Sequence, residues 1–304
     1  MNFKDIKIYL LILTSILVIS CDLDDRILEL EEHESRLVID AQITQVDTSM
    51  AILITESQSI ADTIFEYENT KQLNNVSLQL MTPDEGIIDG FIFGYTRETE
   101  RQNLAFWKFE YFDFLESESY TLVAKADGLE TISAEVIVPT KPSIKELDVS
   151  FDNGSSGDFI VRDKFELTIS DRPNQENYYL LEATITYSND EFSFESEYRF
   201  YDLPNNPIDE SFLENRIRIL EDKTFDGRDY KITLYGERQT NYDIENVAFN
   251  LYEITENYYN YIDQFDKYNN ENPFSEPITF PNNIENGYGI FTITSKPDVK
   301  TISF

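Results

Sequence analysis

Residues 120–142 read Tyr120-Thr121-Leu122-Val123-Ala124-Lys125-Ala126-Asp127-Gly128-Leu129-Glu130-Thr131-Ile132-Ser133-Ala134-Glu135-Val136-Ile137-Val138-Pro139-Thr140-Lys141-Pro142. Tyr120–Ala126 and Leu129–Val138 are apolar, β-branched runs of strand length. Asp127-Gly128 between them is a tight-hairpin signal. Pro139 and Pro142 then interrupt the pattern, because proline cannot donate to a ladder and is excluded from central strands. The stretch predicts two paired strands followed by a stiff, extended connection.

Upstream, the same pattern repeats. Arg36–Ile43 is apolar enough for a central strand, and Ala51–Thr55 follows. Asn75–Met81 alternates, with Val76, Leu78 and Leu80 on one face and Ser77, Gln79 and Met81 on the other. Ile87–Tyr95, interrupted by Asp89-Gly90, and Leu104–Phe114 complete the set. About seven short strands in about 100 residues point to a β-sandwich of immunoglobulin or transthyretin type. Residues 36–138 are assigned to this first sandwich and 139–143 to a proline linker.

Residues 144–304 predict a second β-sandwich. Its strands are Ile144–Phe151, Phe159–Ile169, Tyr178–Tyr187, Phe192–Tyr201, Arg216–Leu220, Tyr230–Tyr235, Val247–Tyr252 and Ile290–Ser295, with loops around Pro204–Pro207 and Gly236–Asp243. One helix is expected over 256–268. Thr255 caps it, Ile254 and Tyr259 stand at hydrophobic-staple positions, and Tyr258, Ile262 and Phe265 form an apolar stripe expected to pack on the second sandwich. Asn269-Asn270 and Pro273 end it.

The amino terminus carries an export signal. Lys4 and Lys7 precede a nearly apolar run, Ile8–Ile19, about half of the ~20 residues a spanning helix needs. The run ends Leu17-Val18-Ile19-Ser20-Cys21, which resembles a lipobox. Residues 1–20 are therefore read as a lipoprotein signal peptide and Cys21 as the lipidation site. Two or three acyl chains anchor firmly where one does not, since each buried methylene contributes about 0.8 kcal/mol. Residues 21–35, with Asp22, Asp24, Asp25, Glu29, Glu31, Glu32 and Glu34, form an acidic tether.

The chain has 304 residues, 58 acidic and 24 basic, for a net charge of −34. Removing residues 1–20 takes away Lys4, Lys7 and Asp5 and leaves 57 acids against 22 bases. Such a surface repels nucleic acid, which is excluded as a partner, and anionic membrane. A single cysteine excludes an intrachain disulfide, so a chain of this length must hold together through its own cores.

These features resemble the Bacteroidota lipoproteins filed as domain of unknown function 4249. The match rests on Cys21 with the acidic tether leading into Arg36–Ile43, and on Val136-Ile137-Val138-Pro139 followed by Pro142-Ser143-Ile144. It rests further on Tyr258-Tyr259-Asn260-Tyr261, and on Asn272-Pro273-Phe274-Ser275-Glu276-Pro277 followed by Asn283–Phe291. Tyr288 stands where leucine is expected between the two glycines. The resemblance implies an outer-membrane location, with an acidic patch after the lipidated cysteine that looks like a surface-export signal. It also implies a place beside TonB-dependent transporters, and it supplies no catalytic residues.

No catalytic constellation is legible. His33 is the only histidine and lies in the tether, so a histidine-based triad is lacking. Zinc lacks its usual Cys and His partners, and no cofactor motif appears. Calcium is a candidate through hard oxygens at Asp152 with Asp158 and at Asp226 with Asp229, the same residues also reading as exposed turns. Trp107, Phe109 and Tyr111 share a strand face and read either as a stacking platform or as sandwich core. Tyr288 is a further candidate contact residue.

The leading expectation is a non-enzymatic, surface-exposed outer-membrane lipoprotein that binds or assists within a TonB-dependent transport system. A structural or adhesive surface lipoprotein and a carboxylate-based glycoside hydrolase are the alternatives. Cys21→Ser is expected to block incorporation of labelled palmitate and to leave residues 1–20 attached, as read by intact-mass spectrometry.

Overall fold

The computed structural model describes residues 34–47, 49–57, 73, 75–95, 105–110, 113–151, 160–188, 192–201, 216–239, 242–270 and 280–304. The chain is mainly β, arranged as two sandwiches with one α-helix among the described residues.

The first sandwich contains β1 (Leu37–Thr44), β2 (Ser49–Glu56), β3 (Ser77–Met81), β4 (Ile87–Asp89), β5 (Phe91–Tyr95), β6 (Ala105–Glu110), β7 (Ser119–Lys125) and β8 (Ile132–Ile137). The second contains β9 (Ser143–Ser150), β10 (Ile160–Ser170), β11 (Tyr178–Ser188), β12 (Ser193–Glu197), β13 (Arg199–Tyr201), β14 (Ile217–Glu221), β15 (Asp229–Gln239) and β16 (Asp243–Ile254). Helix α1 (Glu256–Asn270) follows, then β17 (Tyr288–Thr294) and β18 (Asp298–Ser303).

Strand β1 shows why the first sandwich forms. Leu37, Ile39, Ala41 and Ile43 are buried and alternate with Val38, Asp40, Gln42 and Thr44, the period of a half-buried strand. Leu78 and Leu80 of β3, and Tyr120, Leu122 and Ala124 of β7, bury the facing sheet against it. The two sheets run β17-β1-β2-β6-β5 and β4-β3-β7-β8.

The first sheet ends in a strand from the far end of the chain. β17 runs parallel to β1, in register from Val38↔Tyr288 to Thr44↔Thr294. Phe291 and Ile293 enter the first core, as does Ile284 just before the strand. The strand foreseen at Ile290–Ser295 thus exists but lies in the first sandwich, and the proline linker does not separate the two sets of strands. Gly289 sits at φ +113°, and a Cβ there would lie 1.8 Å from the Ile39 carbonyl oxygen. Only glycine lets β17 approach β1 this closely.

In the second sandwich, β13-β15-β10-β9 face β12-β11-β16-β18, with β14 also pairing with β11. Phe165, Leu167, Ile169, Leu181, Ile185 and Phe249 are among its core residues. Tyr178, Tyr179, Leu180 and Leu181 are all buried, because both faces of β11 are covered at that end. Tyr179 and Leu181 enter the sandwich, while Tyr178 and Leu180 pack with Ile254 and Ile262 under α1. Thr255 caps α1 by accepting from the Tyr258 N–H at 3.3 Å. The expected stripe divides: Ile262 packs on the second sandwich, whereas Phe265 lies against Tyr261 and Phe280. The Tyr258 hydroxyl reaches the other half of the chain and donates to Gln42 Oε1 at 2.9 Å.

Several local expectations change. Asp127-Gly128 does turn, but pairing closes at Ala124↔Ile132, and the connection between β7 and β8 spans 126–131 rather than two residues. Ile87–Tyr95 splits at Gly90, with β4 in one sheet and β5 in the other. Phe192–Tyr201 splits at Tyr198, which is fully buried in the second core and donates to Asp163 Oδ2 at 2.8 Å. The loop expected over 236–243 is largely strand, since β15 extends to Gln239 with Gly236 paired to Asp163. The segment Pro204–Pro207 lies outside the described residues.

Polar contacts close the seam between the halves. Buried Gln45 donates its main-chain N–H to Thr294 O and its Nε2 to Phe114 O, and its Oε1 accepts from the Lys296 N–H. Asp298 accepts from the Ile144 N–H at 2.7 Å and pairs with Lys141 at 3.1 Å.

Gly289→Ala is expected to cost about 2–4 kcal/mol, because the clash is with backbone rather than a movable side chain. Urea denaturation followed by tyrosine fluorescence measures it, and an unchanged midpoint would contradict the close β1–β17 approach.

Candidate functional site

The densest group of functional side chains lies where two turns of the second sandwich meet. The β10–β11 turn is Asp171-Arg172-Pro173-Asn174-Gln175-Glu176-Asn177. The β14–β15 connection is Asp222–Arg228 and starts with a short 3₁₀ turn, Asp222–Thr224. Asparagine, aspartate, glycine and proline favour such turns because their side chains or ring geometry replace ladder contacts.

Main-chain donors clasp the two turns together through the carboxylates. The Gly227 N–H donates to Asp171 Oδ2 at 2.7 Å, Asn174 N–H to Asp226 Oδ1 at 2.9 Å, and Asn177 N–H to Asp222 Oδ2 at 2.8 Å. The Asp222 N–H returns to the Asn177 carbonyl at 3.2 Å. Gly227 adopts φ +67°, and a Cβ there would meet Pro173 Cβ at 2.7 Å. From below, the Tyr179 hydroxyl donates to Asp171 Oδ1 at 2.5 Å. Burial and this carboxylate push the Tyr179 phenol far above its ordinary value.

One carboxylate oxygen from each of Asp171, Asp222 and Asp226 lies within 4.8 Å of the others. Asp171 is 7% exposed and Asp222 2%, while Asp226 is open to solvent. Burial raises the Asp222 carboxyl above the usual carboxylate range. The Asn177 N–H opposes this shift, and Asp171, Asp226 and Glu176 add to it. Among the described residues no lysine or arginine pairs with any of the three. The nearby bases are committed elsewhere: Arg172 holds Glu253, and Arg228 donates to the Thr224 carbonyl.

Glu253 connects this clasp to the seam. It is 8% exposed, and burial lifts its carboxyl more than Arg172 lowers it. Asn177 Nδ2 donates to Glu253 Oε1 at 3.3 Å. The Glu253 N–H donates to Ser295 Oγ, and the Ser295 N–H to the Glu253 carbonyl. Asn177 Oδ1 is buried without a hydrogen-bond partner.

The residues foreseen from sequence fare unequally. Asp226 belongs to the clasp. Asp229 does not, because it pairs with Lys145 at the start of β15. Tyr288 is 40% exposed, with the Arg36 guanidinium 5.6 Å from its ring centroid. Trp107 and Phe109 have their backbones in β6, paired with Ile52 and Met50, while their side chains lie outside the described part. Cys21, Tyr111, Asp152 and Asp158 lie outside the described residues. Asp171, Asp222 and Asn177 were not singled out in the sequence. The available signal was the turn composition Asp-Arg-Pro-Asn between two strands, which does not reveal its distant partner.

A separate cavity of about 360 Å³ lies between β8 and the start of α1, lined by Glu135, Val136, Ile137, Thr255, Asn257 and Asn283. It presents one carboxylate, whereas paired-acid glycoside hydrolysis uses two.

The architecture defines an all-β protein of two sandwiches laced together by a carboxy-terminal strand. The chain belongs to the family described as Domain of unknown function (DUF4249), which it matches over residues 24–298. No curated protein matches the sequence. Among solved structures it is similar to a "Biofilm associated protein - BSP domain", at 7% identity and a TM-score of 0.17, over 72% of this chain. It spans 55% of the length of that structure. Among the described residues no helix is long and apolar enough to cross a membrane.

The raised Asp222 pKa sets a direction with pH. The folded chain binds this proton more tightly than the unfolded chain. The associated stability is present below the unfolded pKa and is lost as pH rises through the folded one. Asp222→Asn is therefore expected to raise the melting midpoint at pH 7 in chelated buffer and to flatten its dependence on pH above the ordinary carboxylate range. The amide oxygen can still accept from Asn177. A lower midpoint at every pH would refute the assignment.

Proposed function

We propose that the protein is a lipid-anchored, surface-exposed outer-membrane lipoprotein of the Bacteroidota type. In this reading it is a non-enzymatic binding or accessory component beside a TonB-dependent transporter. The observation that carries the reading is the amino terminus. The single cysteine, Cys21, stands directly after Leu17-Val18-Ile19-Ser20 and before an acidic tether.

The geometry beyond the tether supports it. In the sequence the tether precedes β1, an interior strand held by β2 on one side and β17 on the other. An anchor at Cys21 would therefore pull on a strand bonded along both edges, not on a frayed terminus. The surplus of carboxylates keeps such a body soluble and repelled from anionic headgroups. The lone histidine at position 33 and the single carboxylate in the β8–α1 cavity both favour binding over hydrolysis.

Crosslinking in intact cells followed by mass spectrometry of the captured species tests the partner. The expected product contains an outer-membrane β-barrel, and Cys21→Ser is expected to lose it. Repeated captures without a barrel would remove the transporter role. Protease added to intact cells is expected to digest the body, and full protection would place it inside the outer membrane.

A further inference from the structure

We propose that the clasp of Asp171, Asp222 and Asp226 is a calcium-binding site. The proposal does not depend on the lipid anchor or on any transporter.

Three observations converge. The first is charge: two of the three aspartates are buried, their oxygens crowd within 4.8 Å, and among the described residues no base pairs with them. Buried carboxylates without a counter-charge are costly. The second is the company they keep. Arg172 and Arg228, on the same two turns, are held instead by Glu253 and the Thr224 carbonyl.

The third is Asn177, which is 3% exposed and whose main chain bonds to Asp222 in both directions. Its Oδ1 is an acceptor with no donor. Exchanging the amide's oxygen and nitrogen would not help, because Glu253 Oε1 occupies the Nδ2 side and needs a donor. The clasp therefore gathers three carboxylates, and the residue bonded to Asp222 through its main chain carries a buried carboxamide oxygen that lacks a partner. A cation answers both the surplus charge and the unused acceptor.

The donor set selects the cation. All the groups are hard oxygens, with no His or Cys for zinc. Calcium accepts oxygens at about 2.3–2.6 Å in flexible geometry, so opposite ligands stand roughly 5 Å apart and the observed spread fits. Magnesium requires a tighter, near-ideal octahedron at about 2.1 Å and keeps most of its water. Two turns that cross between the sheets, fixed by hydrogen bonds to main chain, suit the less demanding ion. The solvent-open Asp226 side leaves room for waters to complete the shell. Binding would join the β10–β11 turn to the β14–β15 turn and strengthen that end of the second sandwich.

The test uses the purified full chain, stripped with chelator and titrated with CaCl₂ or MgCl₂ at fixed ionic strength. Isothermal calorimetry is expected to show about one saturable calcium site with affinity near the 10⁻⁴–10⁻³ M range of extracellular modules. The melting midpoint is expected to rise by about 2–4 °C at saturation. Asp226→Asn, at the exposed position, is expected to lose the calcium-induced rise, measured against its own calcium-free midpoint. Asp222→Asn is expected to lose that rise as well. Asp148→Asn, on the distant β9, controls for diffuse binding to an acidic surface and is expected to behave as wild type. The proposal is overturned if calorimetry on the folded wild type shows no saturable calcium site. It is equally overturned if magnesium matches calcium, or if Asp226→Asn and Asp148→Asn respond alike.

Discussion

The parallel pairing of β17 with β1 is the contact on which the rest of the molecule depends. It joins residues about 250 positions apart, completes the first sheet, and carries Phe291 and Ile293 into the first core. Loop-closure entropy grows only with the logarithm of loop length, so such a contact is thermodynamically tolerable once the intervening second sandwich has formed. Kinetically it is demanding, because long-range pairing must wait for the segments between to be organised. The first sandwich is incomplete without residues that follow the second, so the two halves form one interdependent unit.

The same strand explains the chemistry around it. Its buried Thr292 lies 3.2 Å from the α1 cap residue Thr255, and the chain beyond it bonds to Gln45 and to Glu253. Glu253 in turn meets Arg172 and Asn177, which border the aspartate clasp. A continuous series of polar contacts therefore runs from the seam between the sandwiches to the cluster of carboxylates. Elsewhere some carboxylates are met by bases, as where Lys164 and Lys231 both approach Glu166. Exposed pairs of that kind contribute little each. The clasp stands apart because two of its three carboxylates are buried and, among the described residues, no base pairs with them.

Strand positions were legible in the sequence because the period-two pattern survives wherever one face meets a core, as in β1 and β3. The helix was legible because Thr255, Ile254 and Tyr259 occupy capping positions that local chemistry enforces. Three kinds of feature were not. Sheet switching at Gly90 and Tyr198 is hidden, since a strand that changes partners keeps the same local alternation. β18 was missed because Asp298, Lys300 and Ser303 make it polar on both faces. Gly236 read as a loop signal, although in the fold it lies mid-strand in β15, paired with Asp163.

By itself the sequence determined that this is an acidic, strand-rich chain whose lone cysteine stands at the end of an export-like segment. Those properties reside in single residues and in their nearest neighbours along the chain. Only the tertiary structure decided which strands share a sheet, that the last part of the chain closes the first sandwich, and that Asp171 meets Asp222 and Asp226. Partner choice in a sheet is made by non-local hydrogen bonds and by the shape of the core they enclose. An aspartate in one turn carries no local mark of the turn it will face.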